Sequence, residues 1–99
     1  MIFGKKATAE LELPPIAKSN PQAVEVLRVW AVPGQPQQLT LKTTWNDPGA
    51  WGLLLADVAR HAAKAYENEG HAPGEALKRI QQLLSAEFAA PTDTPVQLS

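Results

Sequence analysis

The stretch Trp45-Asn46-Asp47-Pro48-Gly49-Ala50-Trp51-Gly52 marks the point where the chain changes from strand-forming to helix-forming sequence. Upstream, apolar and polar residues alternate with a period of two, and downstream apolar residues recur at helical spacing as far as Glu69. Asp47 can accept hydrogen bonds from exposed first-turn N–H groups, and Pro48 suits the first helical position because it has no N–H to leave unpaired. The stretch therefore predicts the start of a long helix, which Gly70 ends.

The half of the chain before this stretch predicts a β-hairpin. Residues 23–32 are rich in β-branched and aromatic types and contain neither Gly nor Pro, which indicates a strand, and residues 37–44 alternate cleanly. The sequence Pro33-Gly34-Gln35-Pro36 between them is typical of a turn. Both faces of the first strand are largely apolar, which is unusual for a strand with one solvated side.

The half after this stretch predicts two helices. The long helix presents an apolar arc over more than half of its circumference, wider than the roughly 100° that docking on one core requires. Residues 75–89 show a second amphipathic pattern, and the short connection of residues 71–74 predicts that the two helices are antiparallel. The predicted fold class is α+β, a β-hairpin followed by an antiparallel helical hairpin in the order ββαα.

Both ends of the chain are expected to lie outside the packed domain. We expect an N-terminal arm over residues 1–20 that is largely extended or flexible, a single α+β domain over residues 21–90 and a flexible tail over residues 91–99. Within the arm, residues 7–13 alternate small or apolar residues with polar ones, which leaves an extra N-terminal edge strand open. Against that strand, alanine and glutamate are poor strand formers, and the prolines that follow isolate the segment.

The composition excludes several classes of function. The 99 residues carry a net charge of −1 and include no cysteine, so the chain has no disulfide framework, no thiolate nucleophile and no Cys-based zinc site. The near-neutral charge removes the electrostatic attraction that dominates most nucleic-acid binding. No apolar run reaches the length of a secretory signal or a bilayer span, so we expect a soluble cytoplasmic protein that binds neither nucleic acid nor membrane.

The amount of apolar surface predicts self-association. A two-stranded hairpin is marginal in water, and helices on one of its faces would leave the other uncovered. Leaving a large apolar side chain wet instead of buried forgoes roughly 1.5–3 kcal/mol. A homodimer would cover this surface, whereas a monomer would need its N-terminal segment to fold back over the sheet. We expect the homodimer, with an interface that includes Leu27, Val29, Trp30 and Leu53.

Residues 45–52 also allow a second interpretation, a ligand site. A helix N-terminus beside aromatic residues can hold an anionic or nucleotide-like ligand. The candidate binding residues are Trp45, Asn46, Gly49 and Gly52. However, Asp47 already places a negative charge where an anion would lie, so a structural role for this stretch is favoured.

The histidines match no catalytic or metal-binding motif. His61 follows Asp57 by one helical turn, but both lie on the polar stripe of the long helix, where such pairs are ordinary solvated neighbours. His71 follows Glu67 and Glu69 with a spacing that matches no metal site. We therefore expect no catalytic residue, no metal and no cofactor.

Three parts of the sequence carry a family resemblance: the strand of residues 24–30, the junction of residues 45–52 and the helical run of residues 54–61. Together they resemble a family of short bacterial proteins known only as a domain of unknown function. The resemblance extends from about residue 13 to residue 93 and implies an α+β fold, but no activity, ligand or catalytic residue. We expect a non-enzymatic, homodimeric protein-interaction module; the alternative is a binder of small anionic or nucleotide-like ligands.

Overall fold

The computed structural model describes residues 9–92 and the backbone of residues 96–97. Its elements are, in chain order, α1 (Pro15–Ser19), β1 (Leu27–Trp30), β2 (Gln38–Leu41), α2 (Gly49–Asn68), α3 (Glu75–Ala89) and β3 (Val96–Gln97). The predicted α+β class, with a β-hairpin followed by two helices, is confirmed. The structure adds α1 and β3, which are too short to produce a periodic pattern in the sequence.

β1 and β2 form an antiparallel hairpin whose register gathers the leucines on one side. Leu27 pairs with Leu41, and Val29 pairs with Leu39. Because successive side chains of a strand point to opposite faces, these four residues lie on the same face of the sheet, which we call the apolar sheet face.

Both strands are shorter than the sequence predicts, and the prolines explain one end of each. Pairing stops where Trp30 meets Gln38. Beyond that pair lie Pro33 and Pro36, which have no N–H to donate to a ladder. At the other end a single further hydrogen bond, from the backbone N–H of Lys42 to the carbonyl of Val26 at 3.0 Å, continues the hairpin.

β3 pairs in parallel with β2 and completes a sheet of order β1-β2-β3. The tail of residues 91–99, which the sequence predicts to be flexible, therefore contributes a strand. A strand of two residues is too short to show an alternation of polar and apolar residues. It forms because its backbone pairs with a neighbouring strand, so the sequence of the tail does not predict it. With β3 in place, β2 is the central strand and β1 is an edge strand.

The N-terminal segment forms no strand over the part that the structure describes. Of the predicted edge strand, residues 7 and 8 lie outside the described residues, and residues 9–13 are irregular. Pro14 and Pro15 begin α1 instead, which agrees with the preference of proline for a helix start. An ion pair between Arg28 Nη1 and Glu10 Oε2, at 3.0 Å, ties this segment to β1.

Two glycines with left-handed backbone shape the connection between α2 and α3. Gly70 has φ 110°, and past it the N–H of His71 donates to the carbonyl of Tyr66 at 3.1 Å, which closes α2. Gly74 has φ 82°, and its N–H donates to Glu67 Oε2 at 3.1 Å. The last turn of α2 is thus hydrogen-bonded to Gly74, the residue immediately before α3.

The buried core is confined to the contact between α2 and α3. Among residues 9–92, Ala63 of α2 and Ala76 of α3 are the only buried apolar residues, and no side chain is fully buried. Their small size lets the two helices approach closely, but their burial removes little apolar area from water. Neither helix, within the described residues, combines the length and apolar character needed to cross a membrane.

The sheet and the helical hairpin do not pack on each other. No Cα atom of β1, β2 or β3 lies within 8 Å of a Cα atom of α2 or α3. The radius of gyration is 15.9 Å, whereas a compact chain of this length has about 13 Å. A single chain thus presents two separate layers instead of one shared core.

The glycines provide a paired test of this backbone description. We expect Gly74→Ala to lower the free energy of unfolding by about 1 kcal/mol, because a Cβ is disfavoured at φ 82° although the space around it is open. Gly52→Ala should raise it by about 0.5–1 kcal/mol, because Gly52 lies inside α2 and a Cβ there also meets open space. Urea unfolding at one fixed protein concentration measures both. Changes of the same sign in the two variants would contradict the described backbone.

Candidate functional site

The four interface residues predicted from the sequence do not share one surface. Leu27 and Val29 lie on the apolar sheet face, and Val29 is 50% exposed. Trp30 lies on the opposite face of the same strand and is 41% exposed. Leu53 is on α2 and is 77% exposed. The structure thus separates one apolar face, to which two of the four belong, from Trp30 on the other side of the sheet and Leu53 on α2.

A second apolar surface runs along the helical hairpin. It is an open groove of about 730 Å³, which we call the helical groove. Its apolar lining consists of Tyr66, Ala76, Ile80, Leu83 and Leu84. Glu75 and Arg79 lie beside this lining, and the Tyr66 ring meets His71 edge-to-face at 5.1 Å between centroids. The sequence identifies the leucine stripe of α3 but does not reveal that α2 leaves part of it uncovered.

The chain between the two surfaces, residues 42–48, forms a tightly bonded turn that we call the elbow. Thr44 has φ 66°, a conformation that β-branched residues rarely adopt. The N–H of Trp45 donates to the carbonyl of Thr43 at 2.6 Å, so a γ-turn is centred on Thr44. The Thr44 hydroxyl donates to the carbonyl of Lys42 at 2.8 Å. Strain of this kind persists only where surrounding contacts enforce it.

Trp51 supplies the contact that joins the elbow to α2. Its indole Nε1 donates to the carbonyl of Thr43 at 3.0 Å. Its ring also packs edge-to-face on Trp45, with centroids 5.9 Å apart and an angle of 74° between the planes. The first turn of α2 is therefore fixed to the chain that leaves β2, which sets the direction in which α2 departs from the sheet.

The predicted ligand site at residues 45–52 is occupied by the protein's own carboxylate. Asp47 Oδ1 accepts a hydrogen bond from the N–H of Gly49 at 2.8 Å, as expected of a helix-capping residue. A Cβ on Gly49 would lie 3.1 Å from the same oxygen, whereas one on Gly52 would meet open space. The structure thus places Trp45 and Gly49 at the helix start, with Asp47 at the position an anion would take.

His61 and Asp57 of α2 form an exposed pair one helical turn apart. His61 Nε2 lies 3.6 Å from Asp57 Oδ1, and both side chains are largely exposed, as the polar stripe predicts. Among the residues that the structure describes, no three His, Asp or Glu side chains come together to hold a metal ion.

Arg28 is the most strongly paired cation of the sheet. Its Nε donates to Glu25 Oε2 at 3.1 Å, and its Nη2 lies 3.1 Å from Glu25 Oε1, a two-pronged contact. This hydrogen bonding, followed by the charge of Glu25 and then that of Glu10, raises the pKa of Arg28 above its usual value. Arg28 thus carries its charge permanently and links the N-terminal segment to the sheet.

Comparison with known proteins identifies a family and similar solved structures. The chain matches the model of the family described as a domain of unknown function (DUF5076) over residues 10–92. It is similar to the solved structure of a protein from the photosynthetic bacterium Rhodopseudomonas palustrus CGA009, described as "a putative pyruvate dehydrogenase", with 36% identity, coverage of 99% of this chain and 98% of that chain, and a TM-score of 0.74. A search of the curated proteins found no significant match. The family resemblance inferred from the sequence is confirmed.

The indole hydrogen bond of the elbow can be tested by matched substitutions. We expect Trp51→Phe to lower the free energy of unfolding by about 1 kcal/mol, since it keeps an aromatic ring but removes the donor to Thr43. Trp45→Phe is the control: it also keeps an aromatic ring, and we expect a change below about 0.5 kcal/mol because the described residues show no hydrogen bond from its indole. Chemical unfolding measures both, and an equal loss in the two variants would show that the Trp51–Thr43 bond is not the important contact.

Proposed function

This chain belongs to the DUF5076 family, a domain of unknown function, and we propose that it acts as a non-enzymatic, homodimeric protein-interaction module. The observation that carries the proposal is the pair of incompletely covered apolar surfaces, the apolar sheet face and the helical groove, on a chain whose described residues bury only two alanines. A protein that exposes contiguous apolar surface of this kind in isolation is typical of one that functions with that surface covered.

The exposed area supports this proposal quantitatively. The accessible surface of the chain is 8251 Å², whereas a compact monomer of 10.7 kDa exposes about 5,500 Å². Part of the excess belongs to the irregular N-terminal segment, and the rest belongs to two layers that do not cover each other. The expected stability of a single chain also supports the proposal. Two buried alanines offset little of the conformational entropy that is lost on folding.

A second copy of the chain is the simplest partner. It is present wherever the chain is made, and a two-fold arrangement covers the same surfaces on both copies at once. Burial of one Val29 or Leu39 side chain contributes roughly 1.5–3 kcal/mol, so a few such residues from each copy are enough for stable association. A further protein would then bind the assembled dimer. A cytoplasmic location belongs to the same proposal, and fractionation of cells that express a tagged chain tests it.

The alternative function, binding of a small anionic or nucleotide-like ligand at residues 45–52, has weaker support. The carboxylate of Asp47 occupies the helix start, so an anion would have to displace it against its charge. A saturable rise in melting temperature with nucleotides or phosphorylated metabolites would nevertheless favour this function. Pyruvate dehydrogenase activity is named for the Rhodopseudomonas protein only.

The homodimer predicts a mass of two chains by light scattering and a defined response to a charge on the apolar sheet face. We expect Val29→Asp to weaken association by about 100-fold or more, because the carboxylate would be buried without a partner. Val32→Asp is the matched control, since Val32 is the same residue type with a similar exposure, 54% against 50%, but lies outside the strands.

The two variants separate the possible outcomes of this test. Dissociation by Val29→Asp alone supports the apolar sheet face as the interface. Dissociation by Val32→Asp alone would move the interface to the side of the sheet that carries Trp30, because Val32 and Trp30 line a common pocket. A mass of one chain for the unmodified protein at high concentration would contradict the proposed function.

A further inference from the structure

We infer that the two copies exchange layers, so that the apolar sheet face of each copy packs into the helical groove of its partner. This inference rests on the proposed homodimer and specifies how the dimer is built. It assigns one occupant to each surface: the sheet of a second copy for the groove, and the helical hairpin of a second copy for the sheet. Each chain carries one apolar sheet face and one helical groove. A reciprocal exchange therefore closes the assembly and leaves neither surface uncovered.

The elbow is the first observation that favours exchange over packing within one chain. A sheet and a helical pair of this size ordinarily form two layers of one domain, in contact over their apolar sides. Here the two layers stay apart in the single chain. The γ-turn at Thr44 and the hydrogen bond from Trp51 to Thr43 hold the chain in a shape that directs α2 away from its own sheet. A short, strained connection of this kind is the usual setting for exchange of an element between protomers.

The chemistry of the two surfaces is the second observation. The apolar sheet face consists of aliphatic side chains without charge, and the lining of the helical groove consists of aliphatic side chains with one tyrosine. The charged groups that line the groove are Glu75, Arg79 and Glu87. Glu75 and Arg79 are exposed and Glu87 is partly exposed, so they can remain solvated when a sheet is bound. A flat apolar sheet on a helical pair is the standard layered arrangement of α+β domains.

The position of the N-terminal segment argues against the main competing dimer, in which two β1 edges pair into one continuous sheet. Residues 9–14 run beside β1 across a groove of about 380 Å³, and the Glu10–Arg28 ion pair anchors them there. The free edge of β1 is therefore partly shielded. On the apolar sheet face Val29 is 50% exposed and Leu27 is partly exposed, so this face can still contact a partner.

The excess exposed area sets an upper limit that an exchanged dimer satisfies. Each chain exposes about 2,700 Å² more than a compact monomer, and part of this excess lies outside the two layers, so two copies have at most about 5,500 Å² to cover. Obligate homodimers bury about 2,000–5,000 Å² or more, and exchange of a whole layer belongs at the upper end of this range. A contact between two sheets alone would leave both helical grooves uncovered.

Cysteine cross-linking tests the exchange directly, because the natural chain has no cysteine and every introduced thiol is therefore unique. We would place Leu39→Cys and Leu83→Cys in the same chain and oxidise the folded protein. The expected product is a covalent dimer on a non-reducing gel, in which peptide mapping joins position 39 of one copy to position 83 of the other. Val29→Cys with Arg79→Cys is a second pair that removes no leucine, in case the first pair does not fold. The control pair, Leu39→Cys with Arg60→Cys, uses the polar stripe of α2 and should not cross-link.

The outcomes distinguish this inference from the proposed function. A 39–83 bond within one chain would overturn the exchange. A dimer that cross-links only between equal positions, such as 39 with 39, would also overturn it but would leave the homodimer intact. A single-chain mass without any intermolecular cross-link would overturn both.

Lengthening the elbow tests whether its short, strained geometry causes the exchange. An insert of about four Gly and Ser residues between Thr43 and Thr44 would let α2 and α3 fold back onto their own sheet, and we expect association to weaken by about tenfold or more. Light scattering over a dilution series measures the change, and the same insert placed between Gly34 and Gln35 in the hairpin turn is the control. An unchanged dissociation constant would contradict the role of the elbow.

Discussion

The hydrogen bond from the Trp51 indole to the Thr43 carbonyl controls the arrangement of the whole chain. It connects the first turn of α2 to the segment that has just left β2, and the Trp45 ring supports it from one side. Because the bond fixes the elbow, the left-handed backbone of Thr44 is maintained despite its strain. This local contact helps to set the direction in which α2 leaves the sheet, and the two layers of the single chain lie apart.

The alanines at the α2–α3 contact determine which parts of the two helices stay exposed. With Ala63 and Ala76 buried between them, the helices approach closely and occupy little of each other's surface. The larger residues of both helices, such as Tyr66 and Leu83, then lie beside the contact rather than within it. Small residues and capping hydrogen bonds therefore stabilise the helical hairpin. Its large apolar residues are left available to contact another surface.

The sequence predicts the local structure well and the relation between layers poorly. The period-two pattern around Leu39 and the helical periods before and after Gly70 predict the hairpin and both helices, and Asp47 caps α2 as its residue type indicates. By contrast, β3 is formed by pairing with the backbone of β2, which its own sequence does not predict. The separation of the layers depends on a positive φ at Thr44, and threonine is a residue type for which a positive φ is not expected. Strand alternation predicts that Val29 and Leu27 share one face, whereas the helical groove requires knowledge of which part of α3 is covered by α2.

In the proposed homodimer, folding and association are coupled. A layer that lacks its partner retains its backbone hydrogen bonds but buries little apolar area, so most of the hydrophobic stabilisation is gained only when the two kinds of surface meet. The apparent stability of such a chain rises with its concentration, because a second copy acts as a ligand of the folded state. Substitutions at Ala63 then act on each chain alone, whereas substitutions on the apolar sheet face act through the partner. In the proposed exchange the elbow links these two levels, because a local geometry within one chain would place the larger part of the core between chains.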